Sequence, residues 1–187
     1  MSETFVSGAH MATRQLLWAA AVSAASILFS LVLACATPFA AIATVAGANM
    51  SRRGALLLTG MAWLANQGVG YLVLGYPTTW DSFAWGVAVG VAAALATGAV
   101  LLLRDRIQSG LWTVIAGFVL AFVVYEFVLF AATALLPSGE EAFSLDVILQ
   151  ILWPNVLALA GLAVLHRIAV SVRFLPNPDA VRGGVYA

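Results

Sequence analysis

The sequence predicts an all-α integral membrane protein: a single six-helix bundle with a short second helix and both termini in the cytoplasm. Three observations carry that prediction. Hydrophobic residues make up 63% of the 187-residue chain and charged residues only 9%, whereas a soluble domain carries about 25% charged residues. Five long apolar segments are separated by short links with turn or breaker residues. Arginines and acids occupy alternate links, which sets the sides of the membrane, because basic loops stay inside.

The elements follow in order. Between Arg14 and Arg52 the chain carries no charge. A helix rises about 1.5 Å per residue across a hydrocarbon layer about 30 Å thick, so this stretch is too long for one crossing and slightly short for two. Arg14 and Arg52 belong on the same cytoplasmic side, which demands an even number of crossings. The stretch is therefore a hairpin: a span from Leu16 to Ala36, a break at Thr37-Pro38, and a short helix within residues 38–50, from about Phe39 to Asn49. Pro38 has no N–H and disfavours helix in the residue before it. The short helix covers only about 17 Å, so it must be buried by neighbours or let the chain dip below the surface. The string "VLAC", Val32 to Cys35, also looks like a lipoprotein cleavage box. Its flanks argue against that reading: only Arg14 precedes the long apolar run, and the sequence after Cys35 stays apolar.

Four longer spans follow, at Gly54 to Tyr76, Phe83 to Leu103, Leu111 to Leu136 and Val147 to Leu165. Helix is required because backbone in lipid must satisfy its own hydrogen bonds, and no alternating barrel pattern is present. The link with "YPTTWDS" carries Asp81, the link from Pro137 to Asp146 carries Glu140, Glu141 and Asp146, and both fall outside; those with Arg52, Arg53, Arg104 and Arg106 fall inside, as do Arg167 and Arg173. The chain is one transmembrane domain, placed in a bacterial cytoplasmic (inner) membrane.

Several functions are excluded. Eight arginines balance eight acids and there is no lysine, so no basic patch calls for nucleic acid as a partner. A single cysteine rules out an internal disulfide framework and a cysteine-built zinc site. The histidines, His10 and His166, lie at membrane edges, and no nucleophile-base pair or metal set is apparent, so the chain is not expected to be an enzyme. It has no nucleotide motif and no intrinsic cofactor is implied.

Topology gives each polar residue a depth. Asn66, Gln67 and Glu126 fall just outward of the membrane centre; Tyr71, Trp80, Trp85, Trp153 and Asn155 fall in the outer half or rim. Together they suggest a substrate cavity open to the outer face. Glu126 is the most informative, since a carboxylate near the bilayer centre costs about 2.5 to 3.5 kcal/mol on insertion scales. It is either protonated, or bonded by Asn66, Gln67 or Asn155, or met by a ligand donor. The plainer readings are that amides join helices and that tryptophans anchor the interface. Ala20 and Ala24 in the first span, and Gly86, Gly90 and Gly98 in the fourth, permit close helix approach, either within the bundle or against another membrane subunit.

The pattern "TPFAAIATVAG…RRGALLLTGMAWLANQGVGYLVLGYP…WGVAVGVAAALAT", with the Ala-x-x-x-Ala of the first span, resembles the S-components of energy-coupling factor vitamin transporters. It is similar in particular to the solitary cobalamin-type S-components of proteobacteria. The likeness runs from Arg14 to Arg167 and its motifs are loose. It implies capture of a vitamin or related small molecule from outside and delivery inward, together with a transmembrane coupling subunit and ATPases. Ala20 and Ala24 would then be docking positions. Cys35, whose thiolate suits borderline metals, would be a candidate ligand for the cobalt of a transported corrinoid, a match of chemistry and not of position. The rival expectation is a non-catalytic structural or assembly subunit of a membrane complex.

Overall fold

A computed structural model describes residues 13, 37–107, 110–137, 139 and 143–171. The expected first span, Leu16 to Ala36, lies outside the described residues, and with it Ala20, Ala24 and Cys35. The described residues form five α-helices and no strand: α1 (Phe39–Asn49), α2 (Arg52–Leu72), α3 (Trp80–Arg104), α4 (Gly110–Thr133) and α5 (Leu145–Ser171). Of the six helices expected, the first lies outside the described residues, and the sides on which the termini lie are not shown. Three helices, α3, α4 and α5, are long and apolar enough to cross a membrane. The 21-residue α2 is long enough but more polar, since Arg52, Arg53, Asn66 and Gln67 all fall within it.

Helix ends depart from the apolar runs where local chemistry overrides hydropathy. The run expected to continue to Tyr76 stops at Leu72: Gly75 adopts φ 69°, and the amide of Tyr76 turns back to the carbonyl of Gly70 at 3.0 Å. The Tyr76 ring then lies where a side chain on residue 70 would stand, and only glycine combines that space with a cheap left-handed turn nearby. At the other end Ser51 caps α2 by accepting from Gly54 N at 3.2 Å. The last helix begins at Leu145 and runs on to Ser171, past the expected end at Leu165.

The short helix is the centre of the molecule. Ten of its eleven residues, Phe39 to Ala48, are buried, and it packs against all four other helices. Its sequence, FAAIATVAGAN, is small and apolar on every side, the pattern of a helix with no solvent face. Both ends are finished by other helices. Pro38 supplies no side-chain cap; instead Asn155 of α5 accepts from Ala41 N at 3.3 Å. At the C-terminus, Arg104 of α3 donates to the carbonyls of Gly47 (3.0 Å) and Met50 (2.6 Å), placing a cation where the helix dipole favours one.

Around α1 the interior is built of small residues. Ala92, Ala93, Ala96 and Val100 of α3 and Ala121 of α4 are buried, and a Cβ on Gly47 would stand 2.8 Å from the Val100 side chain. Thr59 and Thr97 join α2 to α3 through a 2.8 Å hydroxyl pair, also buried. Outside, Val87, Val91 and Leu95 of α3 and Ile115, Val119, Val123 and Phe127 of α4 form exposed apolar stripes at four-residue spacing. A surface this apolar, over a small-residue interior, is that of a membrane protein. Gly86 and Gly90 serve packing inside the bundle, receiving Gln67 and Trp63 of α2, whereas a Cβ on Gly98 would meet nothing within 4 Å among the described residues.

One end of the bundle gathers charge. Arg52 at the start of α2 pairs with Asp105 after α3 at 2.6 Å, and Arg104 approaches the same carboxylate at 3.6 Å. The Arg52 guanidinium, bonded to Asp105, holds that carboxyl below its ordinary value of 3.8.

Candidate functional site

The opposite end of the bundle is hollow. Because α1 covers only about 17 Å, its N-terminus stops short of the ends of the longer helices. A cavity of about 780 Å³ has Thr37 and Phe39 on its wall. The start of α1, the last turns of α2 and α4, and the first turns of α3 and α5 converge there. In α3, Ser82, Trp85, Gly86 and Val89 share one face at helical spacing; in α4, Tyr125, Glu126 and Leu129 do the same. The volume falls within the roughly 300 to 1,000 Å³ of small-molecule pockets.

Hydrogen bonds fix much of the wall. Asn66 donates to the Thr37 hydroxyl, and Gln67 Nε2 donates to Asn66 Oδ1 at 3.2 Å. Tyr71 and Ser82 share a hydroxyl contact of 3.1 Å, while the Tyr71 ring stacks on Phe83 with centroids 4.8 Å apart. Trp85 Nε1 donates to the Pro137 carbonyl at 3.2 Å, tying α3 to the segment after α4. Close approach of α2 and α3 depends on Gly86, where a Cβ would lie 2.5 Å from Gln67 Oε1. Phe39 stacks on Tyr125, centroids 5.9 Å apart.

One acceptor on this wall stands out. Glu126 is half-buried, and its Oε1 is shielded from solvent with no hydrogen-bond partner among the described residues. A buried acceptor left unpaired costs about 1 to 3 kcal/mol, more when charged. Pro154 inside α5 has no N–H to give the carbonyl of Gln150 one turn earlier. Both residues line the cavity. No arginine, lysine or histidine does so among the described residues.

Of the residues singled out from the sequence, the fold brings Asn66, Gln67, Tyr71, Trp85, Glu126 and Trp153 together on this wall. Two stand elsewhere. Trp80 is 68% exposed in the first turn of α3 and does not line the cavity. Asn155 is buried at 3% exposure, its amide turned to Ala41 N and to the Ile151 carbonyl, so it joins α5 to α1. Tyr125, Gln150 and Pro154 complete the wall; a signal for Tyr125 was its place beside Glu126, about 100° around the same helix. No group of three or more His, Cys, Asp or Glu able to hold a metal is found among the described residues. Comparison with protein families, curated proteins and solved structures finds no match to the chain.

Proposed function

We propose that the protein is a membrane-embedded substrate-binding subunit that takes up a vitamin or related small molecule from the outer face of a bacterial inner membrane. The observation that carries this reading is the cavity itself. It is pocket-sized and walled by aromatic rings, and a half-buried carboxylate with an unpartnered oxygen stands on it, opposite the arginine-bearing end. The basic end belongs inside, so the cavity opens outward. Six crossings, with both termini cytoplasmic, complete the topology. The likeness of residues 14–167 to S-components supports a division of labour in which a transmembrane coupling subunit and ATPases supply energy and Ala20 and Ala24 form a docking face. On that scheme a corrinoid is one candidate substrate, with Cys35 a candidate ligand to its cobalt.

A structural subunit without a ligand is the second reading, favoured by the way Asn66, Asn155 and Thr59 bond inside the bundle. Thermal unfolding of the purified full chain against a vitamin panel that includes cobalamin separates the two. A ligand at a hundred times its dissociation constant stabilises by about 2.7 kcal/mol. A shift with one compound supports the binding subunit; no shift across the panel supports the structural one.

A further inference from the structure

Resting on the reading of the cavity as a small-molecule site, we infer that it selects an organic cation: an amine that brings N–H donors to Glu126 on a flat, apolar body. Among the described residues Glu126 is the only carboxylate on the wall, and no arginine, lysine or histidine stands there to neutralise it. Its Oε1 takes no hydrogen bond from the described residues. An ammonium supplies both the missing charge and up to three donors.

The rest of the wall agrees with that choice. Tyr71, Trp85, Tyr125 and Trp153 present aromatic rings to the cavity, and ring faces attract cations. Three of the wall's donors are engaged inside the protein: Asn66 Nδ2 to Thr37, Gln67 Nε2 to Asn66, and Trp85 Nε1 to Pro137. A carboxylate ligand would meet the like charge of Glu126. A volume of about 780 Å³ leaves room for a ring system beyond the ammonium.

Three probes sharing one aromatic body test the inference: 2-(1-naphthyl)ethylamine, 2-(1-naphthyl)ethanol and 1-naphthaleneacetic acid. Each is measured by equilibrium dialysis against the full chain in lipid nanodiscs, with empty nanodiscs subtracted. The amine should bind about tenfold or more tightly than the alcohol, the scale of one charge-assisted bond, with the acid weakest. Glu126→Gln should bring the amine to the level of the alcohol. Should that variant fail to fold, the wild-type ranking decides alone. Binding of the alcohol or the acid as tightly as the amine overturns the cation preference and leaves a small-molecule site standing. Binding by none of the three overturns both.

Discussion

The two ends of the bundle differ in how they treat the termini of the short central helix. At the arginine end the C-terminus of α1 is closed: Arg104 reaches its last carbonyls, Arg52 and Asp105 clasp the flanking helices, and Gly47 meets Val100 with no room between. At the other end the N-terminus of α1 is capped from the side by Asn155, and beyond it the space stays open between aromatic walls. The same helix, too short for the membrane, thus seals one half of the bundle and vacates the other. A cavity at this depth needs no separate domain. It follows from an element roughly half the length of its neighbours.

That contrast predicts that changes at the closed end cost stability while changes at the open end alter binding. The largest loss is expected for Arg104→Ala, which removes two charge-assisted bonds to the C-terminus of α1. About 3 kcal/mol should be lost in detergent unfolding, with any ligand affinity unchanged in the fraction that remains folded. Asn155→Ala leaves Ala41 N buried and unpaired, and should lose about 1 to 2 kcal/mol by the same measurement. If instead it abolished binding with unchanged stability, Asn155 would belong to the cavity after all. Glu126→Gln should match or exceed wild type in stability, since it removes the charge from a carboxylate with a buried, unpaired oxygen, and act on ligand selection.

The smallest effect is at the surface pair. Arg52→Ala should cost less than about 1 kcal/mol, since Arg52 is 67% exposed and such pairs are screened. Its pH dependence has a definite sign. Asp105 titrates below its ordinary 3.8 in the folded chain, so the contribution of the pair is present above that value and is lost as the pH falls through the lowered one. Unfolding of wild type and Arg52→Ala should therefore converge in acid and separate above about pH 4.

The closed end and the open end were unequally legible in the sequence. The bounds of α1 could be read from Pro38, which stops helix before it, and from the charge at Arg52 that ends the apolar stretch. Asn66, Gln67 and Glu126 stood out because polar residues within long apolar runs need partners. The capping of α1 could not be read: Arg104 and Asn155 lie 57 and 114 residues from the groups they serve, and no local signal ties them to α1. Asn155 looked like a pocket residue by depth, but depth does not give direction around a helix. Trp80 stands outside for a related reason, since it falls on the exposed face of α3 that continues through Val87 and Val91.

The central claim is that the cavity end faces out and the arginine end faces in. The direct measurement is labelling of intact cells with a membrane-impermeant maleimide, using Ser82→Cys on the cavity wall and Arg106→Cys beyond α3, each in a Cys35→Ala background. Ser82→Cys should be modified in intact cells and Arg106→Cys only after the membrane is opened. The reverse pattern would turn the molecule over and contradict the account.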